Sequence, residues 1–195
     1  MIDEFIKYYG IPNSQLHNLL QKTSDLTFGL KDENKVVCIT SIELGEAKYR
    51  NSNNKVVKIF DYDRFISSLD ANFQRGRKRC DAVVFTQDKS NFIFNELKSK
   101  QSFKQATLKG AVQLKSTLDT VLAVPILNRY IKLFKSKKCC FCNSISISPS
   151  QLNASQAFGR LSDLLPNGAK LLHNGINKHG FEFWVFSGNQ IIILG

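Results

Sequence analysis

Three residues near the middle of the chain have the types and spacing to work on a phosphodiester: Asp81, and the pair in Glu96-Leu97-Lys98. Asp81 opens the apolar run Ala82-Val83-Val84-Phe85. The Glu-x-Lys closes a second run, Asn91-Phe92-Ile93-Phe94-Asn95. Two carboxylates plus a substrate phosphate are sufficient for a hard cation such as Mg²⁺, which takes oxygen ligands and usually keeps several waters. A cation held there lowers the pKa of a bound water and stabilises charge on phosphoryl oxygens, while the ammonium orients or polarises the nucleophile. Strand ends often carry charge for no chemical purpose, so the reading depends on whether the spacing brings the three groups together.

It does so if the two runs form a hairpin. With Gln87-Asp88-Lys89-Ser90 as a four-residue loop, a usual hairpin length, Thr86 faces Asn91, Val84 faces Ile93 and Asp81 faces Glu96. Opposed residues share a face, with Cβ atoms ~5 Å apart, and Lys98, two residues past Glu96, projects from that same face. A slip of one residue would move Asp81 to the other face.

The pattern resembles the PD-(D/E)XK nuclease superfamily. Cys80-Asp81 stands where that family has Pro-Asp, with the proline replaced, and Glu96-Leu97-Lys98 matches the (D/E)XK element in full. The resemblance spans roughly residues 36–150. It implies an α/β fold with a restriction-endonuclease-like α-β-β-β-α-β core. It also implies Mg²⁺ (Mn²⁺ as substitute) on Asp81, Glu96 and the backbone carbonyl of Leu97, with Lys98 serving the attacking water. Two further features are implied. The helix after the third strand should present a Gln or basic residue, for which Gln113 is the candidate, with Lys109 one turn earlier. An upstream acid is also expected, and Glu43 and Glu46 both qualify.

Apolar spacing predicts helices over 2–9, 14–22, 63–69, 103–124, 126–134 and 156–165, and strands over 36–42, 56–60 and 144–148. The end of the chain, from Phe181 to Leu194, reads as a hairpin about Ser187-Gly188-Asn189. The expected architecture is one domain over 1–195: a mixed central sheet flanked by helices, with a C-terminal β-hairpin.

A formal charge of +11 favours a polyanionic partner. Arg75, Arg77, Lys78 and Arg79 precede Asp81, and Lys98, Lys100, Lys104, Lys109 and Lys115 follow Glu96. Folding the hairpin is expected to gather many of these around one mouth, giving salt-sensitive affinity for nucleic acid, DNA ahead of RNA. Tyr49, Phe73 and Trp184 could stack on bases, although core packing is the simpler expectation in a chain with 15 Phe. No apolar run has the length of a membrane span, and the acidic opening Met1-Ile2-Asp3-Glu4 is unlike a secretory signal. Five cysteines, with Cys139, Cys140 and Cys142 crowded together, fit reduced thiols in a cytoplasmic protein rather than a disulfide framework. His17, His173 and His179 are too scattered for a zinc site.

The expectation is therefore a Mg²⁺-dependent nuclease acting in defence, restriction or repair. With no obvious recognition module, it would work as a homodimer or with a partner protein that supplies targeting. The alternative is a nuclease-fold module that binds nucleic acid or a protein partner without cutting. The departure at Cys80 and the unassigned upstream acid leave room for that.

Overall fold

The computed structural model of the chain describes residues 2–9, 19–68, 76, 78–99, 103–144 and 167–195. In chain order the elements begin α1 (Ile2–Tyr9), β1 (Leu20–Thr23), β2 (Thr27–Glu33), β3 (Val36–Thr40), β4 (Ala47–Arg50) and β5 (Val57–Asp61). Next come α2 (Tyr62–Ser68), β6 (Ala82–Thr86), β7 (Asn91–Lys98), α3 (Phe103–Leu122), α4 (Pro125–Lys132) and β8 (Ser136–Asn143). The last are β9 (Ala169–Leu171), α5 (Asn174–Asn177), β10 (Glu182–Ser187) and β11 (Ile192–Ile193).

β7 is buried on both faces from Asn91 to Leu97, which a strand achieves only between two covering layers. It is the central strand of a seven-stranded mixed sheet ordered β1-β5-β6-β7-β8-β10-β9. β1, β5, β6 and β7 pair antiparallel in turn. β8 lies parallel to β7, and β10 parallel to β8. The parallel return from β7 to β8 is made through α3 and α4, because parallel neighbours need a crossover rather than a tight turn.

Side-chain alternation along β6 and β7 divides the core into two layers. Val83, Phe85, Phe92 and Phe94 pack with Leu114, Leu118 and Val121 of α3 on one face. Ala82, Val84, Ile93 and Leu97 face Phe28, Leu30 and Tyr49 of a second sheet, ordered β11-β4-β2-β3. α3 comes so close to the large sheet that a Cβ at Gly110 would fall on the ring of Phe141 in β8. Only glycine permits that approach.

Helices at 2–9, 62–68 and 103–122, and strands at 36–40, 57–61, 82–86 and 91–98, match the sequence expectations to within a few residues. Others need correction. The helix expected over 14–22 is a strand at its end: β1 pairs with β5, and the Gln21 side chain donates to Val37 O and accepts from Ile39 N. Residues 14–18 lie outside the described residues, as do 145–148 of the expected strand and the expected helix at 156–165. The helix expected from residue 126 begins one residue earlier, at Pro125, whose missing N–H is harmless at a first helical position.

The C-terminal hairpin is not formed. β10 joins the large sheet beside β8, whereas β11 joins the small sheet beside β4. The turn at Ser187–Gln190 is real, with Ser187 N donating to Gln190 Oε1 at 2.8 Å. Its role is to carry the chain from one layer to the other. Two burial surfaces compete for the last residues, and Leu194 N finds its acceptor in Arg50 O.

Candidate active site

The observed pairing of Val84 with Ile93 and Ala82 with Asn95 is the register the hairpin spacing predicts. It leaves Asp81 beside Glu96, immediately beyond the last paired residues. Asp81 N donates to Asn95 O at 3.2 Å, and Asp81 Oδ2 accepts from Leu97 N at 2.6 Å. Glu96 and Lys98 have the same parity along β7 as Phe92 and Phe94, which pack on the helix-covered face, and Asp81 immediately precedes β6.

Glu96 is fully buried, at 0% exposure. Its Oε1 lies 2.5 Å from Lys98 Nζ, and its Oε2 has no hydrogen-bond partner among the described residues. Burial pushes the Glu96 carboxyl well above its ordinary range and the Asp81 charge adds to this, against the opposing pull of Lys98. Burial also drives Asp81 up, to about 7, against Lys98 and the Leu97 N–H. Lys98 is held charged: burial alone would lower it, but Glu96 and Asp81 together raise it. Desolvation therefore falls on the two carboxylates, and one ammonium offsets part of it. Such opposed pressures are typical of functional sites.

Asp81 is positioned by its own backbone neighbours. The first N–H groups of α2, from Tyr62 and Asp63, donate to Asp81 O at 3.0 and 3.2 Å. Cys80 N donates to Thr117 Oγ1 at 2.8 Å, and Gln113 Nε2 donates to Arg79 O at 2.9 Å. Cys80, unlike a proline, has an N–H to offer, and α3 accepts it. Its thiol is fully buried, and burial pushes it well above the ordinary thiol range. Thr117→Val would strand the buried Cys80 N–H, and we expect a loss of ~1–3 kcal/mol in denaturant unfolding, with Thr117→Ser close to the parent. Equal stability of the valine variant would show that this bond does not hold the segment.

Gln113 therefore reaches the site through the backbone before Asp81, not through a side-chain contact with the carboxylates. Of the two upstream acids, Glu43 is exposed on the turn after β3. Glu46 is 8% exposed, accepts from Asp32 N at 3.3 Å, and is pushed up by burial, against that N–H bond and the pull of Lys98. Sequence reasoning missed Asp32 itself. Its charge acts on Asp81, Lys98 and Glu46, and its Oδ1 is buried without a hydrogen-bond partner. The hairpin that carries it turns on Asn34-Lys35, both at positive φ. An Asn-Gly at that turn would have announced it.

The basic mouth is only partly as expected. Arg79 is engaged by Asp63 at 2.8 Å and by Ser67 Oγ at 3.0 Å, Lys98 by Glu96, and Lys115 by Asp119. Lys78 and Lys109 are exposed. Arg75, Arg77 and Lys100 lie outside the described residues, as does the side chain of Lys104. Acids compete for these cations, which spacing along the chain does not reveal. Tyr49 is fully buried and stacked on Phe28, so it is core and not a base platform. Phe73 is outside the described residues, and the half-buried Trp184 donates to Glu182 and carries Lys138 over its ring.

Among the described residues, no three His, Cys, Asp or Glu side chains stand close enough to enclose a metal ion. A Mg²⁺ that keeps its waters does not need three. The orphaned, buried Oε2 of Glu96 and the desolvated carboxyl of Asp81 are the donor chemistry such an ion takes up. The residues present fit the ion. All five cysteines are free, and among the described residues no helix is long and apolar enough to cross a membrane. No protein-family model, curated protein or solved structure matches this chain.

Proposed function

We propose that the protein is a metal-dependent nuclease hydrolysing phosphodiester bonds, DNA ahead of RNA, in restriction, repair or defence. The observation that carries this is the buried Glu96, one oxygen against Lys98 and the other unpartnered, with Asp81 next to it in register. A carboxylate without solvent or a full set of partners is costly to keep. A bound cation would remove that penalty. Three antiparallel strands β5, β6 and β7, followed by a helical return to a parallel β8, support a restriction-endonuclease-like core.

In this reading Asp81, Glu96 and the carbonyl of Leu97 would hold Mg²⁺, or Mn²⁺ in its place. The ion supplies Lewis-acid stabilisation of phosphoryl charge and a more acidic water. Lys98, kept charged by its two acidic neighbours, orients the attacking water. α2 and α3 fix the backbone of residues 79–81 so that Asp81 does not move on binding. Purified protein should cleave DNA with Mg²⁺ and not with EDTA, and Glu96→Ala should lower the rate by ~10³-fold or more. Unchanged cleavage by Glu96→Ala would end this assignment.

One observation favours a second reading, a module that binds without cutting: Lys98 already closes on Glu96, and no third carboxylate among the described residues completes the set. That reading requires salt-dependent nucleic-acid or protein binding indifferent to Mg²⁺ and to Asp81→Ala.

A further inference from the structure

Exposed cations without an ion pair to a described residue are not confined to the Asp81–Glu96 end of the sheet. That end bears Asp32, Glu46 and Asp63 besides the two central carboxylates, and their charges reach Asp81, Glu96 or Lys98. At the opposite end, three segments converge. The β6–β7 loop carries Lys89, the last turn of α4 carries Arg129 and Lys132, and the connection into β8 carries Lys135. Lys135 N donates to Lys89 O at 3.1 Å and Ser136 N to Ser90 O at 3.0 Å, which locks the two loops together. Phe134 anchors them from below, its ring 5.1 Å from that of Phe92 and 6.3 Å from that of Phe85.

All four cations are exposed, and none forms an ion pair with a described residue. The acid on the same loop, Asp88, is taken by Lys55 at 3.2 Å. Helix-dipole complementarity accounts for Arg129 and Lys132 at the end of α4. It does not account for Lys89 and Lys135, which reach the same surface from other segments.

We infer that this remote end, formed by Lys89, Arg129, Lys132 and Lys135, is a second surface that grips a nucleic-acid backbone away from the cleavage site. Four unpaired cations on rigidly joined segments match a line of phosphates, and such contacts give affinity through counterion release. An anionic membrane is the poorer match. A helix lying on a membrane keeps its apolar face outward, whereas Leu127 and Ile131 of α4 are buried in the core. β7 alone spans ~25 Å at the strand rise, so a strand that touches both ends extends over about seven nucleotide steps at 3.4 Å each. The surface depends on nucleic acid being the partner, as proposed above, but not on hydrolysis.

The test is fluorescence anisotropy with a labelled duplex of about 20 base pairs in EDTA across a salt series, where no cleavage occurs. The variant combines Lys89→Asn, Arg129→Gln, Lys132→Gln and Lys135→Gln, with asparagine at 89 because that position has positive φ. It should bind at least ~10-fold more weakly at about 0.1 M salt, with a log–log salt slope shallower by about 2–3. The comparison variant, Lys78→Gln with Lys109→Gln near the site, should change binding less. Circular dichroism identical to the parent shows that a loss is not unfolding. Unchanged DNA binding by the fourfold variant overturns the inference. So does a parent that binds no DNA at low salt, or a loss confined to phosphatidylglycerol vesicles. A protein that binds through these residues yet never cleaves with Mg²⁺ would sink the nuclease reading and leave this surface standing.

Discussion

Lys98→Ala is expected to unfold ~2–3 kcal/mol more easily than the parent at pH 8 in EDTA, and to lose ~10²-fold or more of Mg²⁺-dependent cleavage. Removing one member of a buried ion pair leaves the other uncompensated, which typically costs ~3–5 kcal/mol. The lower figure applies because Lys98 is 22% exposed and Glu96 can take up a proton. The sign with pH follows from Glu96. Its folded pKa is raised, so the fold is favoured while it is protonated, and that advantage is lost as pH rises through the folded value. The penalty of Lys98→Ala should therefore shrink on acidification. Adding Glu96→Gln should recover much of the stability and none of the activity, because the amide needs no counter-ion but is a poor cation ligand. Urea titrations of the two single variants and the double variant give the coupling directly. A stability unchanged in Lys98→Ala would mean that the ion pair contributes nothing to the fold.

Asp81→Asn should have the opposite effect on stability and the same effect on activity. Burial raises the Asp81 carboxyl to about 7 in the fold, against about 4 in an unfolded chain. The group favours folding fully below that unfolded value, and the contribution disappears as pH rises through about 7. Without metal, the parent should therefore lose stability between about pH 4 and 8 from this group, by ~2 kcal/mol after discounting for its partial exposure. Asparagine keeps an acceptor for the Leu97 N–H and carries no charge. The variant should be more stable than the parent at pH 8, equal or weaker at pH 4, and at least ~10²-fold less active. Saturating Mn²⁺ should stabilise the parent and leave the variant largely unaffected, since a ligand of the native state shifts unfolding only where it binds. A parent and variant with parallel pH profiles would show that Asp81 is not desolvated in solution.

The site was legible to the extent that it is local. Asp81, Glu96 and Lys98 sit on one hairpin, and a four-residue loop with period-two alternation sets which side chains face which. Neither quantity depends on the rest of the chain. The partners that position Asp81 were not legible, because Thr117, Gln113 and Asp63 come from helices on either side of the hairpin in sequence. Asp32 and Glu46 come from another sheet. The strand β8 was missed altogether: Lys137 and Lys138 mask its apolar alternation, and Cys139–Cys142 drew attention as thiols when all four residues are buried packing. The C-terminal hairpin failed for a related reason. A turn states that the chain reverses or bends, and does not say which of two sheets receives the next strand.

By itself, then, the sequence determined the hairpin that carries Asp81, Glu96 and Lys98 and its register, because both follow from turn length and strand period. It also determined a formal net charge of +11, because net charge is additive. Tertiary structure alone decided how desolvated the two carboxylates are, since that depends on helices covering one face and a second sheet covering the other. It also decided which cations are already engaged by acids and which converge, free, at the remote end. Ion pairing is a matter of distance through space, and order along the chain does not record it.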